Sequence, residues 1–393
     1  MKKISVLMAT AFVDMIGFAI VFPILPFYAL RFDAPEWMIG PLLASFSVMQ
    51  LIASPLWGRF SDKFGRRPAI ILGLCTSAIA FLIFGFAVNL LMLFATRLVQ
   101  GIGGGTTGVA QAYVGDSIDP KDRAKALGWL SAATSAGVMM GPAIGSYAFR
   151  LGPQYPGLIA SGLCLLNVIF AWFWLPESTP KKEEEDANSS APPKERRAVK
   201  AMMLEVLFTP RGDVPRLIWI YTAGMLGFMS MAAILPLYLG ARFGITEGNI
   251  GPFFVYTGFL SIVMRAVVLG KLVDLFGETR VMRAGALLLA TGLFSLPLST
   301  TILGTVAMMS FIPMGTALLF PNVSALVSHR APRGELGQVM GVQQSFGGMA
   351  RVLGPVWATL VFDRVGITAP FFVASGIVGL VTVLAFRVKH RDT

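Results

Sequence analysis

Long apolar stretches alternate with short polar loops along almost the entire chain. A helix needs about 20 mostly apolar residues to cross the hydrocarbon core of a bilayer. The pattern therefore predicts an all-α integral membrane protein with twelve transmembrane helices. The predicted spans are residues 5–30, 37–57, 69–88, 90–114, 126–149, 156–175, 214–239, 249–270, 281–298, 301–327, 337–361 and 368–387. The first stretch is too long for a signal peptide, so we expect it to remain as a helix.

Composition supports a membrane protein and excludes a soluble domain. Of the 393 residues, 55% are hydrophobic and only 13% are charged, whereas a soluble domain carries about 25% charged residues. Both cysteines, Cys75 and Cys164, lie within apolar stretches. We therefore expect neither a disulfide framework nor a metal site, and no other cofactor.

The distribution of basic residues predicts the orientation of the helices. Most of the 32 Lys and Arg residues lie at the termini and in alternate loops, whereas the opposite loops hold only Arg31, Arg150, Arg242 and Arg364. Loops rich in Lys and Arg stay in the cytoplasm. We therefore expect a multi-pass protein of the inner (cytoplasmic) membrane with both termini in the cytoplasm. The net charge of +11 then reflects topology in a lipid bilayer, and no nucleic-acid partner is expected.

One long polar segment divides the predicted helices into two sets of six. It includes a run of charged residues over 181–186 and a stretch rich in Ser, Ala and Pro over 188–193. Such a composition does not form a packed core. We therefore expect an N-terminal six-helix bundle over residues 1–178, a cytoplasmic linker over 179–213 and a C-terminal six-helix bundle over 214–393.

The two predicted bundles share sequence markers. The markers are Gly58, Asp62 and Gly65, repeated as Gly270, Asp274 and Gly277, and Gly141-Pro142, repeated as Gly354-Pro355. Markers that recur at nearly one spacing, here about 210 residues, indicate duplication. Two parallel six-helix repeats related by a pseudo-twofold axis along the membrane normal form one of the known transporter architectures.

The loop after the second predicted helix reads GRFSDKFGRRP over residues 58–68. Gly65 permits a tight turn, Asp62 can face the positive N-terminal end of a helix, and Arg66 can pair with Asp116 at the inner end of the fourth helix. The spacing resembles the G-x-x-x-D-x-x-G-R-R motif of the major facilitator superfamily. The resemblance implies a cytoplasmic gating cluster that keeps this side closed in the outward-facing state.

The alternative interpretation of this loop is a solvated segment whose basic residues only fix topology. It accounts for Lys63 and Arg67, but not for the spacing of the two glycines around Asp62. The second copy has Glu278 where the first has Arg66, so we expect any gating cluster there to be different or weaker.

Two further motifs lie within predicted helices. RLVQG over residues 97–101 resembles the R-x-x-Q-G motif of the same superfamily. Placing Arg97 within the bilayer costs at least ~2.5 kcal/mol, which indicates a functional site.

GVMMGPAIGS over 137–146 resembles the G-x-x-x-G-P-x-x-G motif of its drug–proton antiporters. Its marked residues are Gly137, Gly141, Pro142 and Gly145, which place small side chains on one helix face. A general packing stripe is the alternative.

The first predicted helix contains DMIG over 14–17 and PILP over 23–26. These resemble the D-x-x-G…P-x-L-P pattern of the twelve-helix drug–proton antiporter family, and LPES over 175–178 extends the resemblance to almost the whole chain. The tetracycline-efflux branch is nearest. The resemblance implies the major facilitator fold and a monomer. The eighth and ninth helices contain Arg265 but no carboxylate or His, unlike tetracycline exporters, so tetracycline itself is not the expected substrate.

Asp14 is the carboxylate that the pattern places deepest in the bilayer. At about 1.5 Å per residue it lies about 13 Å along the helix from Ser5, close to the midplane of a core about 30 Å thick. Burial favours the neutral form of a carboxyl group, whereas a nearby cation such as Arg97 favours the charged form. We therefore predict that Asp14 carries the coupling proton. The alternative is an Asp14–Arg97 ion pair that only joins the first and fourth helices.

Arg265 and Arg351 both fall within apolar helices of the second half. They either favour a substrate with an anionic or strongly polar group, or play a structural part by bonding backbone carbonyls or reaching the membrane interface. The full set of candidate cavity residues is Tyr28, Gln100, Arg265, Asn322, Gln343 and Arg351.

The expected function is proton-coupled export of a small amphiphilic molecule, because no nucleotide-binding P-loop is present in the sequence to supply energy. Transport of an endogenous metabolite or lipid with the same fold is the second interpretation. A membrane-embedded enzyme would need a nucleophile and base at membrane depth, and a receptor or scaffold would need no coupling residue. The expected partners are a small-molecule substrate, protons and the bilayer.

Overall fold

The computed structural model describes residues 2–118, 120–178, 199–209, 212–332 and 335–386, and these residues form helices and connecting loops without strands. The central part of the predicted linker, residues 179–198, lies outside the described residues. The α-helices are α1 (Lys2–Val21), α2 (Leu25–Arg31), α3 (Glu36–Phe64), α4 (Arg66–Gly85), α5 (Leu90–Gly104), α6 (Thr107–Ser117), α7 (Pro120–Leu151), α8 (Tyr155–Trp174), α9 (Val199–Phe208), α10 (Asp213–Phe243), α11 (Gly251–Val263), α12 (Leu269–Phe276), α13 (Glu278–Ser295), α14 (Ile302–Met309), α15 (Phe311–Arg330), α16 (Leu336–Arg364) and α17 (Ala369–Phe386).

Every one of the twelve predicted spans coincides with helical structure, and the all-α membrane fold is confirmed. Among the described residues, nine helical segments are long and apolar enough to cross a membrane. The other three predicted spans fall on α5 with α6, on α7 and on α17. These segments are interrupted, less apolar or shorter in their described part.

Several predicted spans are not continuous α-helices. Pro23 separates α1 from α2, because proline has no N–H to continue the helical ladder. Gly105 and Thr106 separate α5 from α6, where consecutive glycines weaken helical order. A π-helix over Met264–Val268 joins α11 to α12. Such π-helical turns inside an α-helix are frequent at functional sites.

The chain divides into two compact units. The first comprises Met1–Ala34, Leu42–Ala191 and Ile245–Gly258. Within it, α1 packs along α7 and α8, and α4 packs against α5 and α8. Leu7, Leu74, Tyr113 and Leu130 belong to its buried apolar core.

The second unit comprises Pro35–Pro41, Pro192–Gly244 and Phe259–Thr393. Within it, α10 packs along α16 and α17, and α13 packs against α15 and α17. Helix α10 corresponds to α1 of the first unit, α16 to α7, α17 to α8, α13 to α4 and α15 to α5. The same helix pairs therefore recur in both units. This recurrence is what a duplicated sequence requires.

Part of the segment predicted as a linker is helical. Helix α9 packs against α10 and α16, and its Met202 and Val206 side chains are buried. The indole Nε1 of Trp219 donates a hydrogen bond to the carbonyl of Val206 at 2.8 Å. The buried Met202 and Val206 supply the packing surface that the charged run over 181–186 lacks.

Candidate functional site

A buried guanidinium joins the end of α3, the start of α4 and the end of α6. Arg66 donates hydrogen bonds through Nε to Asp116 at 2.9 Å and through Nη1 to Asp62 at 2.5 Å and Ser61 at 2.6 Å. The Asp116 side chain is 22% exposed and that of Asp62 is 63% exposed. We call Asp62, Arg66 and Asp116 the Arg66 cluster. Because exposure to water weakens an ion pair, the pair with Asp116 is the stronger of the two.

The turn before Arg66 requires glycine and a partner from α8. Gly65 has φ +104°, and a Cβ at this position would lie 2.7 Å from Glu177 Oε2. The Glu177 carboxylate accepts hydrogen bonds from the backbone N–H groups of Arg66 at 2.7 Å and Arg67 at 3.2 Å. The first N–H groups of a helix lack intrahelical acceptors. Glu177 therefore caps α4, a role that its place in LPES did not reveal.

The second copy of the loop has a similar backbone conformation at its glycine turn, but the signs of its paired side chains are exchanged. Gly277 has φ +78°, and Gly65 likewise has a positive φ. Glu278 Oε2 lies 3.4 Å from His329 Nδ1 at the end of α15, whereas the first copy pairs Arg66 with Asp116 at the end of α6. Asp274 is exposed and forms no ion pair with any described residue, and a Cβ on Gly270 would meet open space.

Asp14 is half-buried on α1 and forms no ion pair within the described part of the chain. One turn further along α1, a Cβ on Gly17 would lie 3.2 Å from the Phe81 ring and 3.3 Å from the Cys164 sulfur. Asp14 thus sits on a helix face that packs against α4 and α8.

The predicted alternative of an Asp14–Arg97 ion pair is wrong. The buried Arg97 instead donates through Nη1 to Gln100 on the same helix, and its guanidinium lies 4.9 Å from the Phe46 ring centroid. Residues three apart share a helix face, and aromatic faces attract the cation; the guanidinium also lies 5.9 Å from the ring centroid of Phe18, four residues after Asp14 on α1. Arg97 Nε and Gln100 Nε2 have no hydrogen-bond partner among the described residues.

The glycines of α7 bring that helix against the backbone of α1. A Cβ added at Gly137 would lie 2.4 Å from the Phe12 carbonyl oxygen, and one at Gly145 would lie 2.4 Å from that of Ile20. A Cβ at Gly141 would lie 2.4 Å from the Ala19 side chain. The motif is therefore a packing stripe in its geometry, and what it positions is the helix that carries Asp14.

In the second unit, the buried Tyr221 packs against α16 at Gly347, one turn before Arg351, and against Phe320 of α15, the helix that contacts the π-helix of Arg265. Arg265 belongs to the π-helix between α11 and α12, and Arg351 lies near the middle of α16. The sequence analysis singled out the two arginines but not Tyr221. Its position carried no motif, and only the helix packing brings it to them.

The remaining cavity candidates, Tyr28, Asn322 and Gln343, use polar atoms in hydrogen bonds within the protein. The Tyr28 hydroxyl donates to the Pro153 carbonyl, and its ring packs against Phe84. Asn322 Nδ2 donates to a carbonyl of its own helix at 2.6 Å. The buried Gln343 donates to Ser324 at 2.9 Å, while its Oε1 atom has no partner among the residues described. Gln343 alone of these three keeps an unused polar atom.

Residues 245–258, although they follow α10 in sequence, belong to the first unit. Glu247 pairs with Arg31 at 2.8 Å, and the N–H of Gly251 donates to Ser146 Oγ of α7 at 2.7 Å. Arg150 donates to the Gly248 carbonyl at 2.8 Å. These contacts lie at helix ends whose loops carry few basic residues. The Arg66 cluster, in contrast, lies in a loop rich in basic residues.

Apolar helices that carry isolated charges away from their ends, with ion pairs gathered at the helix ends, define a multi-pass membrane transport protein. The family model of the Major Facilitator Superfamily matches residues 7–355 and again 266–393. The chain belongs to this superfamily of transporters and is not an enzyme.

Two relatives and two solved structures illustrate the similarity. Multidrug resistance protein 2 of Bacillus subtilis (strain 168) is 29% identical over 98% of this chain and 96% of its own length. Tetracycline resistance protein, class B, of Escherichia coli is 27% identical over 89% and 86%. The human organic anion transporter MFSD10 (TETRAN) has a TM-score of 0.72 at 22% identity, covering 98% of this chain and 99% of that one. A bacterial homologue of the lysosomal transporter Spinster, inward-facing and occupied, has a TM-score of 0.78 at 12% identity, covering 98% and 96%.

Proposed function

We propose that this chain is a proton-coupled secondary active transporter that exports a small amphiphilic organic compound by alternating access. The observation that carries the proposal is the half-buried Asp14 on α1, which has no ion-pair partner in the described structure. A carboxylate at membrane depth costs free energy, so its presence there indicates a function. Export, rather than import, is supported by the resistance proteins among the relatives.

The surroundings of Asp14 suit a group that gains and loses a proton. Among the described residues no ion pair holds Asp14 in the charged form, and the Arg97 guanidinium donates to Gln100 and lies over the rings of Phe46 and Phe18. Burial favours the neutral form, and access to water permits the charged form. Opening to one side at a time then lets Asp14 take up a proton on one side of the membrane and release it on the other.

The close approach of α7 makes the position of Asp14 sensitive to helix movement. The glycine stripe leaves no side chain of α7 between the two helices at these positions, so the two helices move together. A shift of this pair changes the access of Asp14 to water. We propose that this link couples the proton to the conformational change.

The ion pairs at the helix ends supply two gating sites in this proposal. The Arg66 cluster lies at the predicted cytoplasmic ends of α3, α4 and α6, and the Arg31–Glu247 pair lies at the opposite ends. Alternating access requires that the contacts on each side form and break in turn. We further propose that the protein is a monomer of the inner membrane with both termini in the cytoplasm, as the basic loops indicate.

A second candidate function is the transport of an endogenous metabolite or lipid, in particular an anionic one, by the same mechanism. Arg265 and Arg351 favour it, because they place two positive charges within apolar helices of the second unit. The two candidates share the fold and the coupling residue. They differ in the substrate and not in the class of protein.

Reconstituted protein tests the proposal directly. Proteoliposomes with an acidic interior should accumulate ethidium, an amphiphilic cation, or 2-naphthoate, an amphiphilic anion, above the level of empty liposomes. Asp14→Asn preserves size but removes the proton site. It should abolish accumulation driven by the pH gradient and leave downhill counterflow intact, because binding and alternation persist without the proton.

Asp33→Asn is the matched control, since it makes the same change in the loop after α2. Asn also tolerates the positive φ of 53° at this position. This variant should accumulate substrate like the wild type. Continued accumulation by Asp14→Asn against a gradient would show that the proton is carried elsewhere.

A further inference from the structure

Two arginines of the second unit stand within apolar helices without a neutralising partner. Arg265 and Arg351 form no ion pair and no hydrogen bond, to side chain or backbone, with any residue that the structure describes. The acidic residues within helices α10 to α17 stand at helix ends: Asp213, Asp274, Glu278 and Asp363. The two positive charges are therefore left uncompensated at membrane depth.

Helix packing places both arginines beside the same tyrosine. A Cβ on Gly347 would lie 2.7 Å from the Tyr221 ring, so α16 touches Tyr221 at this residue. Arg351 follows Gly347 by four residues and thus lies on the same helix face. The Tyr221 ring also contacts Phe320 of α15 at a centroid distance of 5.3 Å, and α15 packs against the π-helix that contains Arg265.

The structural explanations do not account for Arg351, which is half-buried, whereas Arg265 is exposed on the π-helix. Bonding to backbone carbonyls is not observed among the described residues. Reaching the membrane interface does not suit Arg351, which lies about 20 Å along α16 from either helix end. Like charges near one another repel, and an anion bound beside Tyr221 would offset that repulsion.

The neighbouring side chains suit an apolar body attached to that anion. The half-buried rings of Phe228 and Phe320 lie 6.5 Å apart, next to Tyr221. One turn before Gly347 on α16, the buried Gln343 keeps Oε1 without a partner in the described residues. Aromatic faces accept flat apolar groups, and the unused amide oxygen accepts a hydrogen bond from a donor group.

We propose that Tyr221, Arg265 and Arg351 form a substrate subsite that binds a carboxylate or a similar anionic group of an aromatic or amphiphilic organic anion. Arginine presents planar N–H donors that match a carboxylate, and the tyrosine hydroxyl adds a third donor. The apolar body of the ligand lies against Phe228 and Phe320. The proposal rests on the proposed function, because it names the substrate class of that transporter.

A charge series of one shape tests the subsite on the purified full-length protein. The probes are 2-naphthoate, the neutral 2-naphthamide and the cationic 2-naphthylmethylamine at pH 7.5, with affinities measured by calorimetry. The wild type should bind naphthoate about tenfold or more tightly than naphthamide, as hydrogen bonds to a charged group provide. Arg265→Gln and Arg351→Gln should each reduce this preference, and the double variant should abolish it while naphthamide binds as before.

Arg364→Gln provides the matched control, because it makes the same change on α16 at an exposed residue that pairs with Asp363. It should keep the full preference for naphthoate. Unchanged naphthamide affinity in each variant shows that the protein is folded. The proposal is overturned if the wild type binds the three probes equally, or if the preference survives in the double variant.

The same preparations separate this proposal from the proposed function. A preference for naphthoate that depends on both arginines supports the subsite even if no probe accumulates in response to a pH gradient, a result that would refute proton coupling. Accumulation of ethidium through Asp14 without any preference for naphthoate would support the transporter and refute the subsite.

Discussion

The carboxylate of Glu177, just beyond α8, accepts a hydrogen bond from the backbone N–H of Arg66 at 2.7 Å. The side chain of the same Arg66 pairs with Asp116 at 2.9 Å. One residue therefore connects the ends of α4, α6 and α8 through its backbone and its side chain. The gating motif is more than a loop between two helices, because its glycine turn is packed against the exit of the sixth span.

Glu177→Ala should destabilise the first unit by about 0.5–2 kcal/mol, the usual effect of removing a helix cap. Glu177→Gln should have a smaller effect, since the amide oxygen still accepts a hydrogen bond but lacks the charge that the helix N-terminus favours. Thermal unfolding in detergent measures both. Asp274→Ala, which removes an exposed carboxylate, is the control. Equal melting of all three variants and the wild type would contradict the capping role.

Asp116→Asn should impair transport more than Asp62→Asn. Arg66 pairs with both carboxylates, but Asp116 is better shielded from water, at 22% against 63% exposure. Both variants should lower the transport rate with little change in substrate affinity, because the cluster lies away from the substrate. Transport kinetics in proteoliposomes measure the two quantities. Normal rates in both variants would mean that this loop only fixes topology.

The pair of Glu278 and His329 should be replaceable by the charges of the first copy. Glu278→Arg alone places a cation beside His329 and loses the 3.4 Å contact, so we expect reduced transport. Adding His329→Asp recreates an Arg–Asp pair at the same positions and should restore much of the activity. A double variant no better than Glu278→Arg would show that the two copies do not play equivalent parts.

Gly141→Ala should destabilise the protein by about 1–3 kcal/mol, the usual cost of overpacking, because the new Cβ would lie 2.4 Å from Ala19. Gly128→Ala on the same helix meets open space and should be neutral or slightly stabilising, since alanine favours helix. Melting temperatures and accumulation of substrate measure the difference. The stripe would have no part in positioning α1 if both variants behaved alike.

Much of the fold was predictable because membrane insertion depends on local composition. The twelve apolar stretches, the polar segment after Ser178 and the repeated glycines all follow from residues close together in sequence. The parts of the site that lie within one loop, such as Gly65 and Arg66, were found for the same reason. Breaks at Gly105 and the π-helix over Met264–Val268 were not, because small local preferences inside an apolar run do not decide where a helix is interrupted.

The sequence by itself determined the class of protein, its spans and the depth of Asp14 and Arg351, since the length of an apolar helix fixes position along the membrane normal. Only the tertiary structure decided which side chains meet. It joined Arg97 to Gln100, placed Glu177 on the N-terminus of α4 and packed Tyr221 against the face of α16 that carries Arg351. These contacts depend on the rotation of each helix about its axis, which is set by packing between residues far apart in sequence.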